Sequence, residues 1–106
     1  VKFLTVCMGG NVRSAAMAWE LKDAGQDAIP IGVGYNSEAT INMLCEWADY
    51  IVIMHSPLSK YIEPRFGGKF RIVDVGQDTY GTSVHPELRK FLRKTVEQWK
   101  LKDFKI

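Results

Sequence analysis

Cys7, Arg13 and Ser14 stand at Cys-x5-Arg-Ser spacing, an arrangement able to hold a phosphate against a thiolate. The five residues between them, Met8, Gly9, Gly10, Asn11 and Val12, give the chain room to curl so that successive backbone N–H groups point at one anion. Gly9 and Gly10 allow the positive φ values that such a curl requires. A helix opening near Arg13 would add its N-terminal N–H groups and the positive end of its dipole. The same field favours thiolate over thiol and suits Cys7 to nucleophilic attack. Arg13 can clamp two phosphoryl oxygens with its planar fork.

Phosphoryl transfer through a cysteine also needs a proton for the leaving oxygen and an activated water for the second step. One carboxylic acid can do both if it overhangs the loop. In a parallel sheet it should come from the carboxyl end of another strand. The candidates are Asp74, on a strand, and Asp78, in the turn-rich loop 76–83 beyond it. Asp78 is favoured, because a side chain in a flexible turn can reach a substrate oxygen. Tyr80 would then flank the cleft, and Tyr35, after the second strand, would form the opposite wall.

The elements that must position these groups follow from the hydrophobic pattern. Residues 2–7 read as a buried strand, and 13–24 as a helix with an apolar face of Ala16, Trp19, Met17 and Leu21, ended by Gly25. Residues 28–33 read as a second strand, at a sheet edge because of Pro30. Ser37 should cap a helix running to Glu46 whose inner face carries Ile41, Leu44 and Cys45. Residues 50–54 are a continuous apolar run suited to a central strand. Pro57 should begin a short helix with Leu58, Tyr61 and Ile62, broken by Gly67-Gly68 before a strand over 69–75. The last helix should start near His85-Pro86, with a stripe of Leu88, Phe91, Leu92, Val96 and Trp99. The alternation predicts one three-layer α/β domain over residues 1–106, with a flavodoxin-like parallel sheet of about four strands between helices.

Composition narrows the partners. A hydrophobic fraction of 46%, a charged fraction of 25% and a net charge of +2 are those of an ordinary soluble domain, and the charge is too small to argue for nucleic acid. Basic residues do crowd the C-terminal segment (Arg89, Lys90, Arg93, Lys94, Lys100, Lys102, Lys105), but Glu87, Glu97 and Asp103 interleave with them, as on a solvated helix face. No apolar run approaches the roughly 20 residues that span a bilayer. The first residues lack the order of a signal peptide, so a cytoplasmic setting with Cys7 and Cys45 both reduced is expected. No Cys/His cluster suggests a metal, and no cofactor is expected.

Together these motifs resemble the low-molecular-weight protein tyrosine phosphatases. Val6-Cys7 to Arg13-Ser14 matches their first loop, Asp78-Thr79-Tyr80-Gly81 their late Asp-Pro-Tyr-Gly loop, and 47–54 (WADYIVIM) their central Ala-Asp strand. The resemblance implies a phosphomonoester hydrolase acting on a phosphorylated protein or small phosphomonoester. Cys7 would be its nucleophile, Arg13 the clamp and Asp78 the general acid. Ser14 would hydrogen-bond the Cys7 sulfur and ease its departure. The chain departs from the pattern in three ways. Gly10 replaces the usual asparagine, with Asn11 one place later, and Val12 replaces a frequent second cysteine. The segment between the first helix and the Ala-Asp strand is shorter than in typical members, which predicts a shallower, more open pocket and a less strict preference for phosphotyrosine. Alternatives are a phosphocysteine phosphocarrier, which Arg13 argues against, an arsenate reductase, which lacks its further cysteines here, and a non-catalytic phosphate- or partner-binding module.

Overall fold

The computed structural model describes residues 1–101 and 104. Lys102, Asp103 and Lys105, part of the basic C-terminal run, lie outside the described residues. Among the described residues, four strands form one parallel sheet: β1 (Lys2–Cys7), β2 (Asp27–Gly32), β3 (Tyr50–Ile53) and β4 (Phe70–Ile72), in the order β2-β1-β3-β4. Three α-helices, α1 (Arg13–Asp23), α2 (Glu38–Trp47) and α3 (Pro86–Gln98), complete the α/β fold. Right-handed crossovers from β1 to β2 and from β2 to β3 run in opposite directions along the sheet, which puts α1 and α2 on opposite faces. α3 packs beside α1.

β1 lies at the centre, and Phe3, Leu4, Thr5 and Val6 are wholly buried, so its near-continuous apolar run reflects cover on both faces. β3, on its other side, buries Ile51, Val52 and Ile53 completely. β2 is an edge strand and accommodates Pro30, which has no N–H for a ladder bond. Asp49, of the Ala-Asp segment, accepts from the Lys2 N–H at 2.8 Å and starts β3 level with β1. The helix signals also act as expected. Gly25 takes φ +85° and closes α1 with bonds from Gly25 N–H to Lys22 O and Gln26 N–H to Leu21 O. Ser37 caps α2 by accepting from the Thr40 N–H.

Several expectations need correction. The inner face of α1 is Ser14, Met17 and Leu21 with Ala16 and Ala18, whereas Trp19 is 57% exposed beneath the Arg89 guanidinium. The cause is Glu20, a charged residue that is nonetheless buried because Arg89 and Arg93 of α3 both reach its carboxylate. Two members of the basic C-terminal run therefore bind α3 to α1 and are not merely solvated. On α3 itself Leu88, Leu92 and Val96 face inward, while Phe91 is half-exposed.

Between β3 and β4 there is no α-helix but two 3₁₀ helices, Ser56–Tyr61 and Pro64–Lys69. Six residues between prolines cannot build a regular α-helix, because Pro64 lacks a donor and forces Glu63 into an extended conformation. Gly67 and Gly68 lie inside the second of these helices and do not break it. β4 is shorter than the expected 69–75, although bonds from Val73 N–H to Ile53 O and Val75 N–H to Met54 O keep the chain beside β3 as far as Val75.

Candidate active site

Cys7, Gly32, Met54 and Val73 all lie at the carboxyl ends of the parallel strands, and the loops that leave these ends enclose one cleft. The loop after β1 forms its base. Cys7 Sγ lies 3.1 Å from Ser14 Oγ and accepts from the Gly10 N–H at 3.1 Å, so two donors can converge on one sulfur. Thr5 Oγ1 donates to Ser14 O at 2.8 Å and locks the first turn of α1 onto β1. The N–H groups of Gly9, Asn11, Val12 and Arg13 meet no protein acceptor among the described residues, which leaves a crescent of donors at the helix start.

Gly32 and Gly34 hold the curl from behind. Gly10 takes φ +79° and lies against β2, where a Cβ on Gly32 would come within 2.4 Å of the Gly9 carbonyl carbon. A Cβ on Gly34 would meet Met8 Sδ at 2.9 Å. The Asn36 Oδ1 accepts from the Gly32 N–H at 3.2 Å, closing the turn that follows β2. The G-x-G pattern at 32–34 was the available signal, legible only once β2 is known to pair with β1.

Arg13 is 3% exposed yet lines the cleft. One guanidinium nitrogen, Nη1, donates to Gly76 O at 2.7 Å. Its Nε is buried with no partner among the described residues. A buried guanidinium with an unmet donor, beside a crescent of unmet amides, is matched to an oxyanion.

The two carboxylate candidates differ sharply. Asp78 lines the cleft, is exposed and has no hydrogen-bond partner among the described residues. Asp74 is committed to the backbone: Oδ2 accepts from Ser56 N–H at 3.0 Å and Oδ1 from Gly76 N–H at 2.8 Å. These bonds hold the Asp74 carboxyl below the usual aspartate range, which makes it a poor proton donor.

The cleft is open, about 510 Å³, with Met8, Gly9 and Arg13 on the β1 side and Tyr35 beyond β2. The segment after β3 supplies His55, Pro57, Leu58, Lys60 and Tyr61, and the late loop supplies Gln77 and Asp78. Tyr35, 82% exposed, stands at the rim of this cleft. Tyr80 does not line this cleft. Its hydroxyl donates to Val75 O at 2.9 Å and its ring packs edge-on against His85, so it braces the loop that carries Asp78. The aromatic on the far wall is Tyr61, which the sequence reading places only within a short helix after Pro57. Asn11 is exposed at the loop tip. Cys45, the second free cysteine, is fully buried on α2, and burial pushes its thiol up to about 11. No group of metal-ligating side chains occurs among the described residues, and no described helix is long and apolar enough to cross a membrane.

No family model and no curated sequence matches the chain. Solved structures do. Vibrio vulnificus Wzb in complex with benzylphosphonate superposes with a TM-score of 0.73 at 15% identity, over 95% of this chain and 97% of that one. A low-molecular-weight protein tyrosine phosphatase from Bacillus subtilis gives 0.69 at 19%, over 99% and 100%. The YwlE arginine phosphatase from Geobacillus stearothermophilus gives 0.67 at 16%, over 99% and 98%. The chain therefore has the fold of the low-molecular-weight protein tyrosine phosphatases along its whole length.

Proposed function

We propose that the protein is a phosphomonoester hydrolase of the protein tyrosine phosphatase kind, working through a phosphocysteine on Cys7. The observation that carries this reading is Arg13, buried with its Nε unmet, in the same cleft that Asp78 lines. In the first step the Cys7 sulfur attacks phosphorus in line, the bond from phosphorus to the ester oxygen breaks, and Asp78 gives that oxygen its proton. The amides of Gly9, Asn11, Val12 and Arg13 and the Arg13 guanidinium hold the equatorial oxygens as charge shifts among them. In the second step the Asp78 carboxylate takes a proton from water, the water oxygen attacks phosphorus and the Cys7 sulfur leaves. The Ser14 hydroxyl, 3.1 Å from that sulfur, stabilises its returning charge.

The substrate would be a phosphorylated protein or a small phosphomonoester. Tyr35, Tyr61 and Met8 around the mouth suit an aromatic leaving group. A cytoplasmic location fits two cysteines that are both free. The test is turnover on phosphotyrosine, phosphoserine, phosphoarginine and sugar phosphates, with Cys7→Ser as the blank. Hydrolysis of aryl phosphates that disappears in the blank is expected. A stable phosphocysteine that passes its phosphoryl group to a sugar would overturn the reading in favour of a carrier.

A further inference from the structure

Asp74 has no place in the chemistry above, yet its two carboxylate oxygens join the two sides of the cleft. Oδ2 receives the N–H of Ser56, the first residue of the 3₁₀ helix that carries Lys60 and Tyr61 to the cleft. Oδ1 receives the N–H of Gly76, a turn residue at φ +75°. The carbonyl of that same Gly76 is what Arg13 Nη1 donates to. Two residues further on stands Asp78. One peptide unit thus has its N–H end held by Asp74, while its neighbouring carbonyl orients the guanidinium.

We infer that Asp74 is a positioning residue: its carboxylate fixes the Gly76 turn, and through it the angle of the Arg13 guanidinium and the placement of Asp78. The inference deepens the hydrolase reading and rests on it for its kinetic half, while its binding half stands on the anion site alone. Charge is part of the device. An ionised carboxylate is acceptor-only and can take both N–H groups, and such charge-assisted bonds are stronger than neutral ones. An asparagine would have to present an amide donor to one of the two N–H groups. Arg13 would keep its burial in either case, but lose the fixed carbonyl that holds its plane.

The experiment compares the full-length protein with Asp74→Asn and Asp74→Ala, using inorganic phosphate as the probe. Its affinity is read by phosphorus NMR titration and by competitive inhibition of aryl phosphate turnover. Asp74→Ala is expected to weaken phosphate about tenfold, as loss of a charge-assisted bond network does, and Asp74→Asn by less in the same direction. In an Arg13→Ala background the Asp74→Ala change should cause no further loss, since the coupling runs through that guanidinium. Turnover should also become more sensitive to leaving-group basicity. A merely structural role would lower the folded fraction and the rate, leaving phosphate affinity and leaving-group sensitivity where they were. The inference is overturned if folded Asp74→Ala, or folded Asp74→Asn where the alanine variant does not fold, binds phosphate within twofold of the wild type. A wild type that binds phosphate but hydrolyses no phosphomonoester defeats the hydrolase reading alone, and the affinity comparison still decides the role of Asp74. A wild type that does not bind phosphate overturns both.

Discussion

The loop that carries Cys7 and Arg13 and the loop that carries Asp78 face each other across one cleft, but they are built in opposite ways. The first is clamped on every side: Thr5 holds the start of α1, Gly32 leaves no room behind Gly9, and Ser14 and the Gly10 N–H both meet the Cys7 sulfur. The second is exposed and is held at a few points: Asp74 to Gly76, Gly76 to Arg13, and Tyr80 to Val75. The difference suits the roles proposed for the two loops. An anion cradle works by preorganisation, so its donors should not reorganise when charge moves. An acid that serves a leaving group and then a water must meet two different oxygens, and a loosely held turn allows that.

Mutations in the two loops should therefore act differently. In the clamped half, Arg13→Lys replaces a fork with a point charge and should lower kcat/KM on an aryl phosphate by about 10²–10³, the scale of losing one preorganised oxyanion donor. Steady-state kinetics on the folded variant measures it, and a loss under tenfold would show that the fork is not needed. In the open half, Asp78→Asn should depend on the leaving group. An alkyl phosphate is expected to slow about a hundredfold, as loss of a general acid does, and a nitrophenyl phosphate by only a few-fold. Equal losses on both would remove Asp78 from the acid's role.

Glycine substitutions in the two halves should differ in the same sense. Gly32→Ala would place a Cβ 2.4 Å from the Gly9 carbonyl carbon, which is backbone and cannot step aside. It should cost about 2–3 kcal/mol in urea denaturation, as overpacking does, and weaken phosphate binding as well. Gly81→Ala meets nothing within 4 Å, so only its φ of +77° is strained. That change should cost about 1 kcal/mol and leave phosphate affinity alone.

The smallest expected effect is in pH. Ser56 and Gly76 hold the Asp74 carboxyl below its ordinary range, so the folded form binds its proton less readily than the unfolded chain does. Its contribution is then fully present above the unfolded pKa of about 3.9 and is lost as pH falls through the lower folded value. The Gly76 amide resonance should hold steady from neutral pH to about 4 and shift below it. In Asp74→Asn that shift should be absent.

The clamped half was legible in the sequence because its spacing is local: strand, cysteine, five residues, arginine, helix. So were the edge position of Pro30, the Ser37 cap and the parallel sheet. What could not be read lies between residues distant along the chain. Asp74 meets Ser56 from 18 positions away, and Gly32 meets Gly9 only through strand pairing. Trp19 was misplaced because Glu20 looks like a surface residue until Arg89 and Arg93 are brought to it, 69 and 73 positions later. Tyr80 lies in the right loop, but its hydroxyl turns back to Val75 O, five residues before it, and no hydrophobic pattern encodes that bond.

Every catalytic role proposed above depends on phosphate being carried on Cys7. Rapid quenching during turnover of an aryl phosphate, followed by mass analysis of the peptide containing Cys7, tests it directly. A phosphoryl group on that cysteine is expected, formed as one equivalent of phenol is released and absent from Cys7→Ser. Turnover that persists in Cys7→Ser, or proceeds in the wild type with Cys7 never phosphorylated, would contradict it.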